Sequence, residues 1–233
     1  MLQEVNVEGT RRLLQAAIDN RVTRFVFISS SLACVNEEHN SYSNSYGQSK
    51  LMAEQLVRSA WERGAIETVV LRPVNVYGPG MKGNIAAMAS LISRGRLPPL
   101  PSLDTHLSLV SVEDLASAIL LAIEACEANG KTYLVTDGLD YSIKDMEQAI
   151  YAAIGKRVPA WRTPHVVLYS AASIAGWASK IRSYFGPGKG LISGISGKTY
   201  KKLLADNLFS NGQICEELGF KPTTTFYESL PRI

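Results

Sequence analysis

Apolar and polar positions alternate along the chain in two different periods. Over 2–20, Val5, Leu13, Leu14, Ala17 and Ile18 fall near helical spacing, and Asn20 with Arg21 closes the run, which predicts a helix. Arg24-Phe-Val-Phe-Ile-Ser-Ser-Ser31 is instead a continuous apolar run rich in β-branched and aromatic residues, as in a strand buried on both faces. Helical spacing returns over 45–63, and Glu67-Thr-Val-Val-Leu-Arg72 repeats the strand signal before Pro73. Helix, strand, helix, strand predicts a parallel sheet with helical crossovers. A loop holding Tyr77-Gly-Pro-Gly80 leads to a helix over 84–94, a stiff extended Leu97-Pro-Pro-Leu-Pro101, an amphipathic helix over 112–128 and a strand over 131–136. The sheet thus has at least three strands. Beyond Gly138 the pattern turns to helices and irregular segments, so the expected fold is α/β with a smaller, mostly helical C-terminal lobe. No internal repeat or low-complexity tract interrupts it.

Composition narrows the function more than the fold. The 233 residues are 46% hydrophobic and 19% charged, with a net charge of +3. That is an ordinary globular balance, without the like-charge blocks that attract nucleic acid. Cys34, Cys126 and Cys215 are far apart, odd in number and without a nearby His pair, which reads as buried thiols in a reducing compartment and gives no metal site. The opening Met1-Leu-Gln-Glu-Val-Asn lacks the basic flank and apolar core of a signal peptide, so a cytoplasmic location is expected. The longest apolar stretch, 166–178, is shorter than the roughly 20 residues that span a bilayer. It reads as a helix of the C-terminal lobe, with no membrane span.

One constellation carries chemistry. Tyr46-Gly-Gln-Ser-Lys50 sets a phenol and an ammonium at i and i+4, on one face of a helix that follows a strand. A phenol ionises near pH 10, and a fixed positive charge one turn away favours its ionised form, which suits a proton-transfer catalyst at neutral pH. Alone, the pair is also what an exposed helix face offers. Ser29-Ser-Ser31 lies at the C-terminal end of the preceding strand, where open parallel α/β sheets bind ligands. A hydroxyl there and the Tyr46 phenol are expected to meet on one substrate oxygen. Asn6, in Asn6-Val-Glu-Gly-Thr10, lies on the helix before that strand.

The order Asn, Ser, Tyr, Lys resembles the catalytic order of the short-chain dehydrogenase/reductase superfamily. The resemblance extends over Asn6-Val-Glu-Gly-Thr-Arg-Arg-Leu-Leu, Phe25-Val-Phe-Ile-Ser-Ser-Ser, Ser45-Tyr-Gly-Gln-Ser-Lys-Leu-Met-Ala-Glu, Leu71-Arg-Pro-Val-Asn-Val-Tyr-Gly-Pro-Gly80 and Val112-Glu-Asp-Leu-Ala. It is to the extended branch, the NAD-dependent epimerase/dehydratase family of nucleotide-sugar epimerases, dehydratases and 4-keto reductases. It implies a partial Rossmann-type parallel sheet over 1–76 and 107–137, with a substrate-binding lobe over 77–106 and 138–233. By the same resemblance Tyr46 is the general acid/base, Lys50 tunes it and holds the nicotinamide ribose of NAD(P), Ser31 is the hydroxyl partner and Asn6 shapes the relay helix. Pro73 then lies beside the nicotinamide, while Asn75 and Asn84 touch a nucleotide-sugar substrate, although either asparagine could simply cap a turn. A homodimer packed through the Asn6 and Tyr46 helices is a further implication. Gly78-Pro-Gly-Met-Lys-Gly, Arg96-Leu-Pro-Pro-Leu-Pro and Leu107-Ser-Leu-Val-Ser-Val point to the subgroup acting at C4 of UDP-N-acetylhexosamines.

Two features depart from that pattern. Where these relatives carry a phosphate-gripping arginine before the Ser-Leu-Val segment, this chain has His106 and Leu107, and leucine cannot replace a bidentate guanidinium. The glycine-rich dinucleotide fingerprint belongs upstream of the Asn6 helix, which begins almost at Met1. The chain is therefore expected to correspond to the C-terminal two-thirds of an extended reductase, to bind NAD(P) weakly or not at all by itself, and to leave an apolar strand edge at 25–30. Gly78-Pro-Gly80-Met-Lys-Gly83 with Asp104 imitates the fingerprint, but Pro79 removes an amide and no buried strand precedes Asp104. Gly194-Ile-Ser-Gly-Lys-Thr199 imitates a P-loop without its first glycine or its strand. Alternatives to a C4 epimerase or 4-keto reductase are a non-catalytic binding module and a hydroxysteroid or flavonoid-type reductase, which shares Tyr46 and Lys50 but needs neither substrate asparagine.

Overall fold

The structure is a computed structural model and describes residues 2–34, 45–101, 105–164, 166–167, 170 and 207–232. Two compact units divide the chain. One holds Met1–Pro79, Ser108–Leu139 and Phe209–Ile233; the other holds Gly80–Leu107 and Asp140–Leu208. The division differs from the expected one at its C-terminal end, because residues 209–232 pack with the sheet unit. Their anchors are both apolar and polar: Ile214, Leu218 and Phe220 are buried in the core of that unit, Asp114 accepts from the Thr223 amide at 2.9 Å and the Thr224 amide at 3.2 Å, and the buried Tyr77 hydroxyl reaches the Thr224 carbonyl at 2.6 Å.

In the first unit, β1 (Arg24–Ile28), β2 (Glu67–Pro73) and β6 (Thr132–Val135) form an all-parallel sheet in the order β1-β2-β6. Its neighbours are α1 (Gly9–Asp19), α2 (Ser45–Glu62), α4 (Val112–Glu124) and α6 (Gly212–Leu218). Side chains alternate along β2, so Val69 and Leu71 face α4 and α6 with Val110, Tyr133, Ile214 and Phe220. Val70 and Phe27 face α1 and α2 with Leu14, Ala53, Val57 and Ala60. Burial on both faces explains why these strands read as continuous apolar runs. Among the described residues β1 pairs on one side only.

Several local features differ from expectation. The first helix, already α-helical at Leu2 and Gln3, passes through a π-helical turn, Glu4–Glu8, before the α-helix resumes at Gly9. The helix expected over 112–128 ends at Glu124 and resumes as a 3-10 turn, Cys126–Ala128. The segment read as a loop before Gly78 contains β3 (Asn75–Tyr77), which pairs in parallel with β5 (Leu109–Ser111). Arg24 closes α4: one guanidinium nitrogen donates to the carbonyls of Ala122, Ile123 and Ala125, while the group also pairs with Glu67 at 2.7 Å. The three thiols are free, but none is buried as expected: Cys126 is exposed, and Cys34 and Cys215 are only partly buried.

The second unit contains α3 (Asn84–Ser93), β4 (His106–Leu107), β7 (Tyr141–Ser142) and α5 (Ile143–Ala153). The two strands pair antiparallel, His106 with Ser142 and Leu107 with Tyr141. Glu147, buried on α5, accepts from the Leu100 amide at 2.8 Å and pairs with Arg162, fastening the proline-rich segment to that helix. The P-loop look-alike and Asp104 lie outside the described residues, as does most of 166–178. No described helix is long and apolar enough to cross a membrane.

Candidate active site

The site is built at the C-terminal ends of β1 and β2, beside the first turns of α2. Tyr46 and Lys50 lie one turn apart on α2 and are both half-buried. The Lys50 ammonium donates to the Ile28 carbonyl, the last of β1, at 2.9 Å, and stands 5.0 Å from the centre of the Phe27 ring. Burial lowers the Lys50 pKa, and the Glu54 carboxylate one turn further along opposes that shift. Tyr46 contributes its carbonyl to Ser49, whose hydroxyl donates at 2.8 Å and accepts from the Asn6 side chain at 2.9 Å. Asn6 is thereby tied to the first turn of α2, and its own carbonyl accepts from the Thr10 hydroxyl at 2.6 Å.

The three serines after β1 are used differently. Ser29 is buried and donates to Glu54. The Ser30 side chain accepts from the Leu32 amide at 3.2 Å and caps a 3-10 turn, Ser31–Ala33. Ser31 opens that turn, and among the described residues its hydroxyl has no hydrogen-bond partner. Gly47 holds the turn against α2. A Cβ built there would lie 2.1 Å from the Leu32 carbonyl oxygen, so no larger residue permits the contact.

Pro73 is buried at the end of β2, in register with Val135. Asn75 is exposed on β3, opposite Leu109. Asn84 begins α3 in the other unit. His106 is bound through Nδ1 to Asp140 at 2.7 Å, and Leu107 pairs with Tyr141. Among the described residues no group of His, Cys, Asp and Glu is arranged to hold a metal.

Sequence reasoning assigned no role to Glu54 and Arg72. Glu54, buried on α2, takes Arg72 Nε at 2.9 Å and Nη2 at 2.5 Å, and Arg72 Nη1 lies 3.6 Å from Cys34 Sγ. Burial pushes the Cys34 thiol up, with Arg72 opposing. For Arg72 the available signal was a charge at the end of an apolar strand, whereas Glu54 is one of several polar residues along α2 and carried no signal of its own.

The sequence model of the NAD dependent epimerase/dehydratase family matches residues 2–136. The chain is 35% identical over 175 residues to the UDP-glucose 4-epimerase of Vibrio cholerae, a match covering 70% of this chain and 53% of that protein. It spans about half the length of that relative. The UDP-glucose 4-epimerase of Thermotoga maritima, solved with UDP-glucose, superposes with a TM-score of 0.70 at 20% identity over 98% of this chain and 68% of its own. The Thermus thermophilus UDP-glucose 4-epimerase, solved with NAD, gives 0.66 at 21% identity over 98% and 68%. At such identities the two structures share the Rossmann-type fold of this chain.

Proposed function

The chain belongs to the NAD dependent epimerase/dehydratase family, and from that premise we propose that it carries the catalytic residues of an enzyme acting at C4 of a UDP-hexose, as a 4-epimerase or 4-keto reductase. One observation carries the proposal: on the first turns of α2, Tyr46 and the half-buried Lys50 stand beside the Ser31–Ala33 turn, where Ser29 and Ser30 but not Ser31 are engaged among the described residues. Tyr46 then takes the proton from the C4 hydroxyl as the ketone forms and returns it when the ketone is reduced. Lys50, one turn along α2 from Tyr46, supplies the fixed positive charge of the pair. Ser31 donates to the same substrate oxygen and holds it in line with Tyr46. Ser29 is committed to Glu54 and Ser30 to the Leu32 amide, which leaves Ser31 for that work.

The donor set fits the nicotinamide half of NAD(P). Lys50 uses one of three N–H donors on Ile28, leaving two for ribose hydroxyls, and Pro73 offers an apolar wall. When bound, the cofactor supplies reversible hydride exchange at the substrate carbon. No strand–turn–helix among the described residues of the sheet unit carries a complete phosphate-binding fingerprint, so the 233 residues alone are expected to bind NAD(P) weakly. Asn75 and Asn84 are assigned to the sugar nucleotide. His106, oriented by Asp140, is assigned to its phosphates in place of the arginine that Leu107 supplants. Exposed Leu13 on α1 and Met52 on α2 support a homodimer through those helices, and the free thiols suit a cytoplasmic location.

The full protein incubated with UDP-glucose, UDP-galactose and their N-acetyl counterparts, with NAD or NADPH, separates the readings. Epimerisation without net cofactor reduction identifies the epimerase, and stoichiometric cofactor turnover the reductase. Reaction with none of these sugar nucleotides overturns the proposal, in favour of a binding module or a steroid or flavonoid-type reductase.

A further inference from the structure

Three stretches of chain that carry site residues meet at one carboxylate. Glu54 lies one turn beyond Lys50 on α2 and is 4% exposed. Its Oε1 accepts from the Ser29 hydroxyl and from Arg72 Nε, and its Oε2 accepts from Arg72 Nη2. Ser29 directly follows Ile28, whose carbonyl receives the Lys50 ammonium, and its amide donates to Leu71 at 2.7 Å. Ser29 also stands two residues before Ser31. Arg72 directly precedes Pro73, and its remaining arm touches Cys34, the residue whose amide closes the Ser31 turn at 3.0 Å. The turn is therefore gripped before and after Ser31 by one ion pair.

We infer that Glu54, acting through Ser29 and Arg72, is the positioning residue of the site: it locks the ends of β1 and β2 onto α2 and so sets where the Lys50 ammonium and the Ser31 hydroxyl stand. This rests on the roles given above to Lys50 and Ser31. Stability alone does not call for the pair. A buried Glu–Arg pair gains little over apolar residues of the same volume, because desolvating two charges offsets their attraction. What an apolar pair cannot supply is direction: a carboxylate accepting from a hydroxyl and a guanidinium fixes three elements to within a hydrogen bond's tolerance. Lys50 is the sensitive reporter, since its only described hydrogen bond is to the carbonyl beside Ser29.

The test is the Lys50 side-chain signal in an NMR spectrum of the lysine-labelled chain, compared among wild type, Glu54→Gln and Ser29→Ala. In wild type the Phe27 ring, 5.0 Å away, displaces that signal from the position of exposed lysines. Both variants are expected to move it toward the exposed position, Glu54→Gln further. Lys131, which pairs with Glu217 at 2.8 Å, keeps its own signal and reports the intact sheet. Glu54→Gln leaves the Arg72 charge without its partner; if it fails to fold, Ser29→Ala decides, because it cuts the link without stranding a charge. An unmoved Lys50 signal in a variant with the native Lys131 signal overturns the positioning role. The readout uses neither substrate nor cofactor, so its failure is distinct from failure of the proposed reaction.

Discussion

Replacing Gly47 by alanine sets two opposed effects against each other at the site itself. Gly47 lies in the first turn of α2 and is not among the positive-φ glycines, so its backbone needs no glycine. By helix propensity alone, alanine gains about 1 kcal/mol. The added Cβ, however, would stand 2.1 Å from Leu32 O and 2.9 Å from Leu32 C, both backbone atoms. Reaching even 3.0 Å from the oxygen moves the turn or the helix by 0.9 Å. Overpacking of this kind costs about 1–3 kcal/mol, which cancels or exceeds the propensity gain. The 3-10 turn is short and ends near the surface, whereas α2 is packed along its length, so the turn gives way and carries Ser31 with it. A displacement near 1 Å in a positioned group costs on the order of 100-fold in rate. Urea denaturation of the chain and turnover by the full protein measure the two halves. The expected outcome is stability equal to or up to about 2 kcal/mol below wild type, with turnover down about 100-fold. A variant that is more stable by the full propensity gain and turns over normally would refute the reasoning.

Three further perturbations test the frame around the site. Arg24→Met keeps the apolar stem but removes the donors to three carbonyls at the end of α4 and to Glu67; it should cost about 2–3 kcal/mol in urea denaturation. Glu67→Gln, at a side chain 41% exposed, should cost under about 1 kcal/mol; equal losses would show that the pair, not the carbonyl cap, matters. Tyr133 donates to Glu217 at 2.7 Å, and burial followed by that bond raises its pKa. The folded hydroxyl keeps its proton where the unfolded chain releases it near pH 10, so this stability is full below about pH 10 and lost as pH rises beyond it. Tyr133→Phe should flatten the fall in stability between about pH 9 and 11, and an unchanged slope there would contradict the assignment.

The sheet was legible because strands buried on both faces read as apolar runs: 24–31 and 67–72 mark the two strands, although β1 ends at Ile28 and Ser31 opens a 3-10 turn. The Tyr46–Lys50 helix was legible from its spacing. The short strands β3 and β5 were not, because three residues are too few to establish a period, and their pairing is a long-range fact. Residues 209–232 pack beside the sheet through Ile214, Leu218 and Phe220 as well as through polar anchors on Asp114 and Tyr77, and all of these are long-range contacts that local patterning does not register. The division of labour among Ser29, Ser30 and Ser31 likewise depends on Glu54, 25 residues downstream of Ser29. The resemblance singles out Ser31 from the sequence, whereas the engagement of Ser29 with Glu54 and of Ser30 with the Leu32 amide is legible only in the fold.

Tyr46 is proposed to move the proton at the substrate oxygen. Its most direct test is the turnover of the full protein and of its Tyr46→Phe variant on the UDP-hexose that the wild type converts, with binding of that substrate measured alongside. Substrate affinity is expected close to wild type with turnover reduced by about 100- to 10,000-fold; turnover within a few-fold of wild type would rule out that role.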